Sequence, residues 1–262
     1  MTYVERAKKI RLKVLDMVYK AQTSHIGSNF SCVDILTVLF NKCDRAIDRL
    51  VISKGWVAAT AYALAAEHGI IPEKDLDTFC QDGSKYIGLV EPLGFWGCEF
   101  AGGSMGLGFP AAVGMALAKK IKGEKGRVYC LMSDGEMAIG TTWESALIAA
   151  HHRLNNLVVI VDNNGLQAMG PTDSVLNLGD LREKWVAMMW NLMGVDGHNT
   201  EQIDTVVDYL ERMSENEEAP MVMIADTIKG KGVSFMENNN FFHYKNLSGE
   251  EYLKAKAELE NG

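Results

Sequence analysis

The sequence predicts a doubly wound α/β fold, in which a mostly parallel sheet has helices on both faces. Three runs, "RVYCLMS", "LVVIVD" and "PMVMIAD", are apolar almost throughout and do not alternate with polar residues. Strands of this kind are buried on both faces. The segments between them, "TTWESALIAAHHRLN" and "LREKWVAMMWNLMG", have helical patterns and are long enough to connect parallel strands. We therefore predict a single domain over residues 1–262.

The other elements follow from periodicity and from residues that start or end helices. Residues 4–20 repeat apolar side chains at helical spacing, and Ser31 is expected to cap a second helix over "CVDILTVLFN". "DRLVIS" indicates a short buried strand, and the helix after it is expected to end at Gly69. An irregular glycine-rich segment, 81–108, precedes a helix over "FPAAVGMALAKKIKG". "SGEEYLKAKAELENG" predicts a last helix that begins with a capping box.

Composition excludes several classes of protein. The net charge is -8, from 26 basic and 34 acidic residues, which argues against nucleic acid or an anionic membrane as the main partner. No apolar run reaches the roughly 18 residues that a membrane span needs. The charged, helix-periodic start, "MTYVERAKKI", is not typical of a secretory signal. The five cysteines form no CxxC pair, so we expect reduced core thiols in a cytoplasmic protein.

Polar residues follow two of the predicted strands. "SDGE" ends one strand and "DNNGLQAMG" ends the next, so Asp134 and Asn164 are expected to face one crevice. With the backbone carbonyl of Leu166 they offer the hard oxygen ligands that suit Mg²⁺. Gly135 lets a phosphate approach the backbone, and the N–H groups of Gly135 and Glu136 could donate to it. The pattern predicts a magnesium–diphosphate site; the alternative is a plain strand-to-helix turn capped by Asp134.

These motifs resemble those of a known family. An Asp-Gly followed about thirty residues later by Asn-Asn resembles the thiamine diphosphate motif. In order along the chain, "TSHIGSNFSCVDILTVLF" resembles the "SGHPG" segment of the transketolase family, and "DRLVISKGW" resembles its "DRFVLSKGH". "AGGSMGLGFPAAVGMALAKK" resembles "TGSLGQGL…AVGMA", and "IKGKGVSFMENN" with the later "FH" resembles the segment that ends in "WHG". The resemblance covers essentially the whole chain and is to the N-terminal, diphosphate-binding subunit of a split transketolase.

The resemblance implies a set of site residues. It implies that Asp134, Asn164 and the carbonyl of Leu166 bind Mg²⁺, for which Ca²⁺ or Mn²⁺ can substitute. It implies that thiamine diphosphate is bound by Gly103, Ser104, Met105, Asp134, Gly135, Glu136, Asn164 and His243. The catalytic residues that it implies are His25 and His243, and an imidazole can exchange protons with sugar hydroxyls at neutral pH.

The resemblance also implies a reaction and a partner. Family members transfer a two-carbon ketol unit from a ketose-like donor to an aldehyde acceptor, and the cofactor is the electron sink. The glutamate that activates the cofactor lies in a pyrimidine-binding domain, which is absent from this chain and is expected on a partner chain. We therefore expect an α2β2 assembly, and we expect this chain to be inactive alone.

Some residues depart from the family pattern. Trp56 stands where "SKGH" has its histidine, Ile139 where a glutamate is usual, and Asp226 where the family has "KT". The family's "GHP" has no match in "YIGLVEPLG". These departures predict a changed or less polar substrate, and two alternatives stay open. One is an acyloin-forming or decarboxylating subunit acting on a 2-oxo acid, and the other is a non-catalytic assembly subunit. His198, in "VDGHN", is expected to be structural.

Overall fold

A parallel sheet is the centre of the fold. The structure is a computed structural model that describes residues 1–212 and 218–262. Within these residues, five strands form one sheet in the order β1-β2-β3-β5-β4, and every neighbouring pair is parallel. The strands are β1 (Arg49–Ile52), β2 (Val128–Ser133), β3 (Leu157–Asn163), β4 (Asn191–Asp196) and β5 (Met221–Asp226).

Helices connect and cover these strands. The α-helices are α1 (Tyr3–Ala21), α2 (Ile26–Ser31), α3 (Val33–Lys42), α4 (Ala58–Glu67), α5 (Gly108–Lys122), α6 (Gly140–His151), α7 (Thr172–Val175), α8 (Leu181–Ala187), α9 (Thr200–Arg212) and α10 (Gly249–Asn261). Short 3-10 helices span Gly55–Val57, Glu73–Thr78, Asp134–Ala138 and Asn240–His243.

The two faces of the sheet bury separate apolar cores. Leu131 and Ile160 belong to the core shared with α1, α3, α4 and α9. Cys130 and Val159, one residue earlier in each strand, belong to the core shared with α5, α6 and α8. Successive side chains of a strand point to opposite faces, so uninterrupted apolar strands supply both cores. The predicted doubly wound α/β class is confirmed.

Several predicted helix ends are confirmed. In the capping box of α10, the Ser248 hydroxyl accepts from Glu251 N at 3.2 Å, and the Glu251 carboxylate accepts from Ser248 N at 3.0 Å. Gly69, with a φ of 67°, lies just beyond the end of α4. Cys32, Cys98 and Cys130 are buried free thiols, as expected. No helix in the described part of the chain is long and apolar enough to cross a membrane.

The predicted cap at Ser31 is wrong. Ser31 is the last residue of α2, and α3 starts at Val33 without a side-chain cap. The Ser31 hydroxyl donates instead to the carbonyl of Ser28 at 3.0 Å and to the Asp162 carboxylate at 2.6 Å. A buried carboxylate therefore takes the hydroxyl that the sequence pattern assigns to a helix terminus.

The predicted helix over "LREKWVAMMWNLMG" is also wrong in its second half. Helix α8 ends at Ala187, Met189 has a left-handed φ of 64°, and strand β4 begins at Asn191. The rings of Trp185 and Trp190 meet edge to face with centroids 4.8 Å apart. The chain therefore reverses through Met189, and β4 pairs along β5 at one edge of the sheet.

The register of the strands determines which polar residues become neighbours. Ile52 pairs with Leu131, Ser133 with Asp162, and Asn163 with Asp226. The residues that follow β1, β2, β3 and β5 therefore emerge at one edge of the sheet. A site can form there because parallel strands direct all their carboxyl ends to the same side.

Candidate cofactor and active site

A pocket of about 250 Å³ lies at this edge. It brings together residues that are far apart in the sequence. The predicted site residues that border it are His25, Met105, Asp134, Gly135, Asn164, Leu166 and His243. Gly103, Ser104 and Glu136 do not border it. Lys54, Trp56, Gln167 and Tyr244 border it as well.

Asp134 is held in a fixed orientation at the end of β2. It is 2% exposed. One carboxylate oxygen accepts from Gly135 N at 2.8 Å, and the other accepts from Gly165 N at 2.7 Å and from the Thr172 hydroxyl at 3.0 Å. Burial and the nearby charge of Asp162 raise the pKa of Asp134 above its ordinary value. A buried carboxylate of this kind is stabilised by a cation in the pocket.

Asn164 and Leu166 lie on the turn that follows β3. The Asn164 side-chain oxygen accepts from Leu166 N at 3.1 Å, and the Leu166 carbonyl accepts from the Lys229 ammonium at 3.3 Å. An isolated bridge between Leu166 and Pro171 fixes the turn. Both oxygens belong to residues that border the same pocket as Asp134. One carboxylate, one amide and one carbonyl leave room for waters and phosphate oxygens, which is the ligand set that Mg²⁺ prefers.

Glu136 supports the pocket from behind and does not line it. It is fully buried, and one carboxylate oxygen accepts from the Ser53 hydroxyl and, at 3.1 Å, from Gly106 N. The other oxygen accepts from Ser133 N at 2.9 Å. Burial raises the pKa of Glu136. The side chain therefore ties the ends of β1 and β2 to the glycine-rich loop, and the phosphate-binding role of its backbone N–H stays a prediction.

The loop predicted to contact the cofactor is only partly at the pocket. Met105 borders the pocket and is 47% exposed, whereas Ser104 is exposed and lies outside it. Gly106 has a φ of 80°, and an added Cβ there would lie 2.7 Å from Ile139. Gly106 therefore packs against Ile139, one of the residues that depart from the family pattern.

The two predicted catalytic histidines meet, although they are 218 residues apart. The rings of His25 and His243 are 4.8 Å apart in an edge-to-face contact, and His25 N donates to the carbonyl of His243 at 2.9 Å. Burial, with the charges of Lys229 and Lys54, lowers the pKa of His25 to about 4. Burial and the same cations lower the pKa of His243 to about 3. Both rings are therefore neutral at physiological pH.

A buried ion pair that the sequence analysis missed lies beside them. Lys54, at the end of β1, pairs with Asp162, which is fully buried in β3. The Asp162 carboxylate also accepts from the hydroxyls of Ser31 and Thr227. Burial alone would lower the pKa of Lys54, but the Asp162 charge outweighs it and the pKa is raised. The signal in the sequence is an aspartate inside the apolar run "VVIVD", where an unpaired charge would be costly.

Lys229 is a second cation that the sequence analysis missed. It is 1% exposed, and its ammonium contacts the His243 ring nitrogen Nδ1 at 2.7 Å. Burial and the charge of Lys54 lower the pKa of Lys229 to about 8. Two buried lysines near Asp134 make this end of the pocket suitable for an anion.

The residues that depart from the family pattern have different surroundings. Trp56 is 41% exposed, borders the pocket, and stacks on His25 with centroids 4.4 Å apart. Asp226 does not border the pocket, and its carboxylate pairs with Arg182 at 2.6 Å. Ile139 contacts Gly106 and lies outside the pocket lining. Of the three, only Trp56 is placed to change what the pocket accepts.

One wall of the pocket has an unpartnered hydrogen-bond donor that suits an anionic cofactor. Gln167 borders it, and its amide nitrogen is buried without a hydrogen-bond partner among the described residues. A Cβ on Gly135 would lie 3.3 Å from Gln167, so the glycine keeps this wall open. A buried donor without a partner is costly unless a ligand accepts from it. Phosphate oxygens are acceptors of this kind.

His198 is structural, as its contacts indicate. Its Nδ1 lies 2.7 Å from the Asp34 carboxylate, and its Nε2 accepts from Ile228 N at 2.8 Å. Asp34 also pairs with Arg11 at 2.5 Å. Both ring nitrogens are therefore occupied, and His198 does not border the pocket.

Comparison with known proteins agrees with this class of fold. The family model for the "Transketolase, thiamine diphosphate binding domain" matches residues 3–260. The chain is 32% identical over 265 residues to one subunit of the apulose-4-phosphate transketolase of Phocaeicola vulgatus, covering 97% of this chain and 92% of that protein. It is 34% identical over 264 residues to the 6-deoxy-6-sulfo-D-fructose transketolase subunit SqwG of a Clostridium species, covering 97% and 95%.

Full-length transketolases show the same fold over part of their length. The transketolase structure from Campylobacter jejuni superimposes with a TM-score of 0.90 at 28% identity, covering 99% of this chain and 43% of that one. Human transketolase is 31% identical over 253 residues, covering 93% of this chain and 40% of the human protein. The fold is thus that of an α/β cofactor-binding domain. The chain belongs to the transketolase family, and it corresponds to the N-terminal, thiamine diphosphate-binding domain of that family.

Proposed function

We propose that this chain is the N-terminal subunit of a transketolase-type enzyme that depends on thiamine diphosphate and Mg²⁺. In this proposal the enzyme moves a two-carbon ketol unit from a ketose-like donor to an aldehyde acceptor. The observation that carries the proposal is the convergence on one pocket of Asp134, Asn164, the Leu166 carbonyl and the two neutral histidines. A protein kept only for assembly would have no need of this costly arrangement.

Asp134, Asn164 and the Leu166 carbonyl would hold Mg²⁺, and Gly135 and Gln167 would face the diphosphate. When bound, the cofactor would supply a nucleophilic carbon and an electron sink for cleavage of a carbon–carbon bond in the donor. Neutral His25 and His243 can donate hydrogen bonds to substrate oxygens without adding positive charge. The buried cations Lys54 and Lys229 favour an anionic ligand nearby.

A partner is part of the proposal. This chain spans about 40% of human transketolase and more than 90% of two relatives that are named as subunits. We propose that a C-terminal, pyrimidine-binding subunit completes the site in an α2β2 assembly. Met105, Met169 and Tyr244 border the pocket and are largely exposed, so the mouth of the pocket has apolar surface that such a subunit would bury.

The relatives suggest the kind of donor. Apulose-4-phosphate and 6-deoxy-6-sulfo-D-fructose appear in the names of two relatives, and we propose a modified ketose as the donor here as well. Trp56 favours a donor that offers the pocket a less polar face, because an indole replaces a hydrogen-bonding ring beside His25. The same observation supports the second candidate, an acyloin-forming or decarboxylating subunit acting on a 2-oxo acid.

A reconstitution assay tests the proposal and separates the two reactions. The chain is mixed with a C-terminal transketolase-type subunit, Mg²⁺ and thiamine diphosphate, and is offered ketoses or 2-oxo acids with an aldehyde acceptor. Aldehyde release from a ketose without CO₂ supports ketol transfer, whereas CO₂ release from a 2-oxo acid favours the second candidate. Trp56→His is expected to raise the rate with unmodified ketoses at least several-fold, with Trp56→Phe as the matched control. Neither product with any donor would contradict both.

A further inference from the structure

The surroundings of Lys229 define the protonation of a neighbouring ring. Its buried ammonium contacts three atoms, one on the turn after β3 and two on the 3-10 helix Asn240–His243. These are the carbonyl oxygen of Leu166 at 3.3 Å, the side-chain oxygen of Asn240 at 3.5 Å and Nδ1 of His243 at 2.7 Å. The shortest contact is the one to the histidine.

The first two partners are hydrogen-bond acceptors. A backbone carbonyl cannot donate. The amide nitrogen of Asn240 donates to the carbonyl of Ala168 at 3.0 Å, so its oxygen is the atom that faces Lys229. A lysine ammonium has three N–H donors and no acceptor, so the third partner, Nδ1 of His243, accepts as well.

A neutral imidazole carries one proton, which must then be on Nε2. We propose that Lys229 is a positioning residue that fixes His243 as the Nε2–H tautomer, so that His243 offers the pocket a hydrogen-bond donor and never a base. The inference rests on the proposed function in one respect: that function supplies the substrate or phosphate oxygen to which this donor binds. The tautomer itself is a property of this chain alone.

His25 is held differently. Its Nδ1 lies 2.6 Å from the Ser24 hydroxyl, which can donate or accept by rotating. No cation contacts its ring nitrogens among the hydrogen bonds of the described residues. His25 can therefore change tautomer as a proton moves, whereas His243 cannot. The two adjacent rings thus have different roles: His25 can exchange a proton, and His243 acts as a fixed donor.

Nitrogen NMR of the chain labelled with ¹⁵N-histidine tests this without cofactor, substrate or partner. Protonated and unprotonated ring nitrogens have well-separated ¹⁵N shifts, and the signals of His243 are assigned by their loss in His243→Gln. We expect Nε2 of His243 to be protonated, and Nδ1 to be unprotonated with the shift of a nitrogen that accepts a hydrogen bond. Protonation at Nδ1 in the wild-type chain would overturn the proposal.

Two variants of Lys229 test its part. Lys229→Met removes the donor, so the ring should exchange between tautomers and both nitrogens should move to averaged shifts. Lys229→Arg keeps a cationic donor and should restore the wild-type pattern. Unchanged His243 shifts in Lys229→Met would show that the lysine does not fix the tautomer.

His198 is an internal control in the same spectra. Its Nε2 accepts from a backbone N–H, so its tautomer is the opposite one, Nδ1–H. This signal should stay unchanged in both variants when the fold is intact. If the His198 signal is lost in Lys229→Met, that variant has not kept the fold, and only the wild-type and Lys229→Arg spectra are compared. Nε2–H at His243 in both spectra supports the proposal, and any other tautomer of His243 overturns it. Because the NMR experiment measures no turnover, its result does not depend on whether the proposed reaction occurs.

Discussion

Two neutral histidines and two buried cations give the pocket its electrostatic character. His25 and His243 have pKa values lowered to about 4 and about 3, because burial and the ammonium groups of Lys229 and Lys54 disfavour a charged imidazole. A ligand of negative charge is attracted by the lysines, while the histidines remain available for hydrogen bonds.

This arrangement predicts acid sensitivity. In the unfolded chain each histidine has a pKa near 6.5, so between about pH 6.5 and pH 4 the unfolded state binds more protons than the folded state. The stabilisation that comes from the two lowered pKa values is present in full above pH 6.5. It is lost as the pH falls, by up to about 1.4 kcal/mol per pH unit for each ring. Urea unfolding at pH 7 and pH 5 measures the loss.

The matched control is the double variant His25→Gln/His243→Gln. Its stability should fall less between pH 7 and pH 5 than that of the wild-type chain, because the two groups that take up protons on unfolding are absent. The raised pKa values of Asp134 and Glu136 act in the opposite direction in both proteins, so they cancel in the comparison. Equal losses in the two proteins would mean that the histidines are not the acid-sensitive groups.

Substitution of Lys54 is predicted to be costly. Lys54→Met would leave Asp162 buried without its cation, and such a change costs about 3–5 kcal/mol. Burial would then raise the pKa of Asp162, so the cost should shrink as the pH is lowered and the carboxyl takes up a proton. Urea unfolding of the variant between pH 7 and pH 5 measures both effects.

The double variant Lys54→Met/Asp162→Asn separates charge from packing. It has no buried charge at this position, so it should recover a large part of the lost stability. If the double variant is no more stable than Lys54→Met, the loss comes from packing and the ion pair has no special role.

At the scale of elements, close backbone contacts form the wall of the pocket. Gly55 lies between Lys54 and Trp56, and an added Cβ there would be 1.7 Å from the carbonyl oxygen of Gly102. Gly102 in turn passes close to β1, since its own Cβ would lie 2.5 Å from the carbonyl of Ile52. The end of β1 and the glycine-rich segment therefore approach as bare backbone, which only glycine allows.

A pair of glycine substitutions tests this contact. Gly55→Ala is expected to destabilise the chain by about 2–3 kcal/mol or more, because the backbone must move apart. Gly114→Ala, in an exposed position of α5 with no atom near the added Cβ, should stabilise it by about 0.5–1 kcal/mol. Thermal unfolding of the two variants gives the comparison. Similar effects of the same sign would show that the contact at Gly55 is not tight.

The sequence predicts helices and strands well where the hydrophobic pattern or a capping motif is clear, and poorly elsewhere. The strands β2, β3 and β5 are apolar almost throughout, and the capping box of α10 is explicit, so both predictions are confirmed. Strand β4 was missed because Met188, Met189 and Trp190 continue the apolar pattern of α8, and no glycine or proline marks the left-handed turn at Met189. Ser31 was misassigned because its partner, Asp162, is remote in sequence.

The site was predictable in part for a similar reason. Asp134 and Asn164 follow adjacent strands, so spacing alone places them at one crevice. The site roles of His25 and His243 came from family resemblance, and the contact between their rings was not predicted, since no spacing rule joins residues so far apart. Lys229, Lys54 and Gln167 were missed because their importance lies in what surrounds them. A lysine is assumed to be solvated until the structure shows that it is 1% exposed.

In the whole molecule, the carboxyl ends of β1, β2, β3 and β5 meet at one edge of the sheet, where the proposed metal ligands and the anion-binding side of the pocket lie. The exposed side chains at its mouth, including Met105 and Tyr244, fit the proposal that a second subunit covers it. We therefore expect the chain alone to bind thiamine diphosphate weakly and the complex to bind it tightly.

We propose that Asp134 anchors a Mg²⁺-dependent thiamine diphosphate site. Calorimetric titration of thiamine diphosphate into the chain with its C-terminal partner, with and without Mg²⁺, measures this dependence. Asp134→Asn is the test variant, and Asp173→Asn is the matched control, since Asp173 is an exposed carboxylate on α7. We expect Mg²⁺-dependent binding that weakens more than about 100-fold in Asp134→Asn and is unchanged in Asp173→Asn. Binding that needs no Mg²⁺, or equal binding by Asp134→Asn, would contradict the proposed role of Asp134. No binding by the complex would contradict it as well and would favour an assembly subunit.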